Sequence, residues 1–126
     1  MADRDPIRIA VVDDDDDVLT MLRLRLQIDD RFTHAGEARD GREAIELAIA
    51  QKPDAMLLDL TMPEVGGLDV IDEIRDKLPD TKIVIYSAQY GQYDADQLLA
   101  NQAHMYVDKS KPLEEMLAEV ESLFTA

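Results

Sequence analysis

The chain has no cysteine among its 126 residues. It can therefore form neither a disulfide framework nor a thiolate metal site, and the absence suits a reducing compartment. No apolar run approaches the ~18 residues that a membrane-spanning helix needs. The opening segment, Met1 to Pro6, is charged and lacks the apolar centre of a secretory signal. Positive charge is scarce. Thirteen Lys and Arg stand against 28 Asp and Glu, a formal net charge of −15. Phosphate backbones and anionic lipid repel such a chain, which argues against direct binding to nucleic acid or membrane. Linkers, low-complexity segments and long internal repeats are also missing. Residues 1–126 are thus expected to form one domain with a single adequate core, located in the cytoplasm.

What is present is a five-fold alternation of strand and helix patterns. Ile7 to Val12 is a β-branched run, continuously apolar from Ile9, as a strand covered on both faces would be. Five aspartates follow, Asp13 to Asp17. Val18, Leu19, Leu22 and Leu26 then recur at helical spacing, with Asp16 or Asp17 as the N-cap. Phe32 to Ala38 is a weaker strand, expected at an edge. Asp40-Gly41 makes a turn and cap, and Ala44, Ile45, Ala48 and Ile49 stripe a second helix that Pro53 closes. The third strand is Ala55 to Leu58. Leu68, Ile71, Ile74 and Leu78 stripe a third helix that stops at Pro79. Lys82 to Tyr86 is the fourth strand. A polar fourth helix is expected over 94–101, anchored by Leu98 and Leu99. The fifth strand is Ala103 to Val107, and Pro112 starts a helix striped by Leu113, Leu117, Val120 and Phe124. Alternation of this kind implies a doubly wound, five-stranded parallel sheet with helices on both faces and right-handed crossovers.

Parallel strands all point one way, so their carboxyl ends gather at one edge, where open α/β sheets bind ligands. At that edge stand Asp13 and Asp14, Asp59, Ser87, and Asp108 with Lys109. Two neighbouring carboxylates at ~4 Å and an effective dielectric of ~20 repel by roughly 4 kcal/mol. Either one carboxylate stays protonated or a divalent cation binds, and an all-oxygen donor set suits Mg²⁺. The chemistry that uses these parts is phosphoryl transfer. Asp59 would be the nucleophile, Asp14 with Asp13 behind it would hold the metal, and Lys109 and Ser87 would hold the phosphoryl group.

Four pieces carry a resemblance across nearly the whole chain: Ile9-Ala-Val-Val-Asp-Asp14, Leu57-Leu-Asp-Leu-Thr-Met-Pro63 with Gly66-Gly67, Val84-Ile-Tyr-Ser-Ala88, and Tyr106-Val-Asp-Lys109. In this order and at these separations they resemble response-regulator receiver domains of two-component signalling. The resemblance implies a flavodoxin-like sheet of order 2-1-3-4-5. It implies phosphorylation of Asp59 by a phosphohistidine on a histidine kinase or phosphotransfer protein. It also implies Mg²⁺ held by Asp14, Asp59 and the carbonyl of Thr61, with Asp13 acting through water. Ser87 and Tyr106 would be switch residues that alter the face of the fourth helix, fifth strand and fifth helix toward an output partner the sequence does not name. A phosphorylation-dependent dimer is a further partner implied. Thr61 and Gln89 occupy positions that tune phosphoform lifetime in the family. Glu37-Ala-Arg-Asp-Gly41 and a non-proline after Lys109 lean toward receivers that precede helix-turn-helix domains. Departures are Ser110 where the family often has proline, commonly behind a cis bond, Gln102 and Met105 where it often has glycine, and Gly66 where aspartate is common.

Blander readings stand beside these. Asp15 to Asp17 read as a solvated helix cap. A Ca²⁺ loop starting at Asp13 would need glycine and glutamate where Val18 and Leu24 stand. Tyr106 also reads as a core residue. His34 and His104 read as structural, and Tyr90 and Tyr93 as half-buried residues with a partner-binding alternative. Two other functions compete. One is a receiver-like interaction module that is never phosphorylated. The other is a small aspartate-nucleophile phosphatase, against which Thr61 lacks the second acid of that motif. The expectation is a phosphoacceptor that assists its own phosphorylation and dephosphorylation rather than an enzyme.

Overall fold

The computed structural model describes residues 5–59, 67–87 and 103–124. Strands β1 (Ile7–Val12), β2 (Phe32–Ala38), β3 (Ala55–Leu58), β4 (Lys82–Ser87) and β5 (Met105–Asp108) form one parallel sheet in the order β2-β1-β3-β4-β5. Helices α1 (Asp16–Gln27), α2 (Gly41–Gln51), α3 (Gly67–Lys77) and α4 (Leu113–Ser122) connect or follow them. The last of these is the fifth helix of the sequence pattern. The fourth predicted helix, 94–101, lies outside the described residues, as do Thr61, Gln89, Tyr90, Tyr93 and Gln102.

Strand alternation divides the core between the two faces of the sheet. Ile9, Val11, Leu57, Val84, Tyr86 and Val107 pack with Leu19, Leu22 and Leu26 of α1 and with Met116, Leu117 and Val120 of α4. Ala10, Val12, Met56, Leu58, Ile83 and Ile85 pack with Ala44 and Ala48 of α2 and with Val70, Ile71 and Ile74 of α3. Fully burying one such leucine or isoleucine stabilises by roughly 1.5–3 kcal/mol. An ion chain strengthens the first face from outside. Arg25 bonds Asp29 and Glu114, while Arg31 bonds Asp29 and Glu121, which ties α1 and the entry to β2 onto α4.

Several boundaries differ from the sequence expectation. The N-cap of α1 is Asp15, not Asp16 or Asp17. Asp13 Oδ1 already accepts from Asp15 N–H, so the turn closes early and the Asp15 carboxylate accepts from Asp17 N–H. Ile49 is exposed, and Leu47 packs against the core in its place. Pro112 is the N-cap of α4 rather than its first residue. Strand β5 starts at Met105 rather than Ala103, and His104 is the cause. Its backbone N–H donates to the Ile83 carbonyl, but its Nδ1 accepts the Ile83 N–H at 3.0 Å, where a ladder carbonyl would otherwise stand. His104 is thus structural, as expected. His34 Nε2 is buried 3.7 Å from Glu37 without a hydrogen bond. Ordered turn chemistry elsewhere follows the sequence, with Asp40 accepting from Glu43 N–H at the start of α2. In β2 the register slips opposite Ile9 and Ala10, and Gly36 sits there at φ 138°.

Candidate functional site

The site follows from register and parity. Val12, Leu58, Ile85 and Tyr106 lie level across β1, β3, β4 and β5. One residue further on, Asp13, Asp59, Tyr86 and Val107 form the next row. Asp13 and Asp59 prolong the ladder past the strand ends, since Asp13 N–H donates to the Ala38 carbonyl and Asp59 N–H to the Val12 carbonyl. These residues share the parity of Val11, Leu57 and Val84, so alternation sets them toward the α1 and α4 face. Lys109 has the same parity, two residues beyond Val107.

The result is a tight charge cluster. Asp13 and Asp59 are each 2% exposed, whereas Asp14 is open to solvent. Carboxylate oxygens from Asp13, Asp14 and Asp59 all lie within 4.8 Å of one another. The Lys109 ammonium donates to Asp13 Oδ2 at 2.6 Å and reaches Asp59 Oδ2 at 3.4 Å. Burial raises the Asp13 carboxyl above its ordinary range, against the pull of the Lys109 and Asp15 hydrogen bonds, and the charge of Asp59 adds to the rise. Burial alone would lower the Lys109 ammonium. The bond to Asp13 and the charge of Asp59 outweigh it, so the lysine stays firmly protonated. The peptide bond after Lys109 is not cis, and the lysine reaches both acids with Ser110 following it.

Of the predicted residues, the structure brings together Asp13, Asp14, Asp59 and Lys109. Ser87 closes β4 opposite Asp108, and its side chain lies outside the described residues. Tyr106 is half-buried against the α2–α3 side of the core, between the core and switch readings. One neighbour of this cluster is not singled out by the sequence. The Tyr86 ring lies 5.9 Å from the Lys109 ammonium. Its place in row with Asp59 emerges only from the strand register.

The donor set fits a divalent cation. Three oxygen ligands from two buried and one exposed acid, with no sulfur or imidazole, match the preference of Mg²⁺ for carboxylates plus retained water. A flavodoxin-like sheet with such an acidic, lysine-braced carboxyl edge defines a class of α/β domains whose site lies at the strand tips. The chain belongs to the response regulator receiver domain family, whose sequence pattern matches residues 9–121. It is 32% identical over 117 residues to the nitrate/nitrite response regulator protein NarL of Escherichia coli (strain K12), covering 93% of this chain and 54% of that protein. It is 36% identical over 118 residues to response regulator MprA of Mycolicibacterium vanbaalenii, covering 94% and 50%. The chain therefore spans about half the length of these relatives. Its structure superposes on a two-component response regulator of the LuxR family from Aurantimonas sp. SI85-9A1 with a TM-score of 0.86 at 29% identity, covering 94% of this chain and 84% of that one.

Proposed function

We propose that the chain is a phosphoacceptor switch of a two-component phosphorelay. It takes a phosphoryl group onto Asp59 from a phosphohistidine on a histidine kinase or phosphotransfer protein. The observation that carries this reading is the buried Asp13–Asp59 row, closed by a single lysine and opened to solvent by Asp14.

An Asp59 carboxylate oxygen attacks phosphorus, the new O–P bond forms, and the P–N bond breaks. The departing imidazole nitrogen keeps the electron pair, and the ring leaves neutral because its other nitrogen already carries a proton in the phosphohistidine. The product is an acyl phosphate. Lys109 already lies beside Asp59, so its ammonium meets the negative oxygens without first being recruited from solvent. Asp14, Asp59 and the carbonyl of Thr61 would hold Mg²⁺, with Asp13 acting through water. When bound, the cation supplies charge neutralisation for the phosphoryl oxygens. Ser87 would hydrogen-bond the transferred group, and Tyr106 would turn inward behind it. That biases a two-state element whose readout is the face of the fourth predicted helix, β5 and α4. A second copy in a phosphorylation-dependent dimer, or an output partner, would read that face. No described helix is long and apolar enough to cross a membrane.

The test is Asp59→Asn. With Mg²⁺ and a phosphoramidate donor, the native chain should take up one acid-stable, base-labile phosphoryl group, and the variant none. Normal labelling of the variant would move the acceptor elsewhere. No labelling of either, and no NMR response near Asp59 to beryllofluoride with Mg²⁺, would favour the unphosphorylated interaction module.

A further inference from the structure

Lys109 and its partners stand on different strands, and the strand between them has a part in the site. Lys109 follows β5, Asp59 follows β3, and Asp13 follows β1, while β4 separates β5 from β3. To reach Asp59 the lysine must cross one intervening strand, and to reach Asp13 it must cross two. The β4 residue in row with Asp59, and of the same parity, is Tyr86. Its side chain is 4% exposed and packs on the α1 and α4 side of the sheet. Its ring centroid is 5.9 Å from the Lys109 ammonium, within the range at which a ring face attracts a cation. The lysine is itself largely buried, with its side chain 21% exposed, so water competes little for that attraction.

From this crossing we propose that Tyr86 is a positioning residue for phosphoryl transfer, its ring face carrying the Lys109 ammonium across β4 toward Asp59. This role rests on the phosphoacceptor reading above. In the structure as described, the closest lysine contact is to Asp13 at 2.6 Å, not Asp59 at 3.4 Å. During transfer the ammonium has to serve oxygens on the Asp59 side instead. A ring face attracts a cation without fixing a direction, so it holds the ammonium over β4 while the hydrogen-bond partner changes. A leucine of similar burial would support the stem but offer the charge nothing. The phenol hydroxyl has no part in this, so phenylalanine should serve as well as tyrosine.

The experiment measures phosphoramidate-driven labelling rates with Mg²⁺ for the native chain, Tyr86→Phe, Tyr86→Leu, and trifluorophenylalanine incorporated at position 86. Melting temperature is followed in parallel. Trifluorophenylalanine keeps the ring and its volume but cancels the negative face. Tyr86→Phe should label at the native rate. Tyr86→Leu and the trifluorinated ring should label about fivefold more slowly, the scale of a partly desolvated cation–π contact. If Tyr86→Leu does not fold, the trifluorinated and phenylalanine variants decide the matter between them. Equal rates for those two would overturn the positioning role while leaving the phosphoacceptor reading intact. A native chain that takes no label would overturn the phosphoacceptor reading and this role with it.

Discussion

Replacing Lys109 with methionine keeps the stem and removes the charge. The structure sets the scale of the effect. The ammonium lies 2.6 Å from Asp13 Oδ2 and 3.4 Å from Asp59 Oδ2, and both acids are 2% exposed. At an effective dielectric of ~20 those separations correspond to gross attractions of about 6 and about 5 kcal/mol. The cost of burying the lysine cancels much of this, and breaking such a pair by removing one partner costs about 3–5 kcal/mol. Asp13 can relieve part of that loss by taking a proton, since burial already pushes its carboxyl upward. A net loss of about 3 kcal/mol is expected at neutral pH, or roughly 10 °C in melting temperature for a chain of this size. Mg²⁺ should then do more for the variant than for the native chain. In the native protein it competes with the lysine for Asp13, whereas in Lys109→Met that competition is gone. Differential scanning calorimetry in chelator and then in millimolar Mg²⁺ reads both quantities. Equal melting temperatures in chelator, or the same Mg²⁺ increment for both proteins, would refute the claim that this lysine balances the acidic row.

Mg²⁺ should stabilise the native chain by about 2.7 kcal/mol at a hundredfold excess over its dissociation constant, and Asp14→Asn should lose most of that gain with little change in chelator, as titration calorimetry would register. Asp29→Ala removes the carboxylate shared by Arg25 and Arg31. The Arg31 side-chain bonds hold the Asp29 carboxyl well below its usual range, against its burial. The stability it contributes is therefore present above the unfolded value of about 3.9 and lost as pH falls through the lower folded value. The variant should be less stable at pH 7 by about 1–3 kcal/mol and show a flatter acid limb below about pH 4 in circular-dichroism melts. Gly36→Ala places a methyl 2.6 Å from Leu47 Cδ1 at a φ of 138°, and should cost about 1–3 kcal/mol in urea unfolding. Shortening Leu47 as well should recover only the steric share of that loss.

The site was legible because two periodicities meet in it. Period-two strands made the ends of β1, β3 and β5 readable, so Asp13, Asp59 and Lys109 could be set at one edge before any contact was known. The edge position of β2, the Asp40 cap and the Phe32–Ala38 and Ala55–Leu58 boundaries were readable from local chemistry alone. Sequence spacing could not see long-range substitutions of one hydrogen-bond partner for another. Nothing within a few residues of His104 says that its imidazole will take the Ile83 N–H, so the start of β5 was misplaced by two residues. Nor does a run of five aspartates say which one caps, because that depends on Asp13 first bonding the Asp15 N–H. Tyr86 escaped for a similar reason. Its row partner lies on another strand, and sheet register is fixed by packing on both faces rather than by the Val84-Ile-Tyr-Ser motif itself.

The separation along the chain between Asp13 and its lysine has a consequence for synthesis. The two residues are 96 positions apart. A ribosome-bound fragment can therefore lay down β1 and β3, and so bring the two acids side by side, long before the balancing ammonium emerges. Until then the half-built sheet must protonate a carboxyl, borrow a cation from the medium, or stay open. Divalent ions in the surrounding fluid would then influence not only the finished protein but also how early its nascent sheet can close.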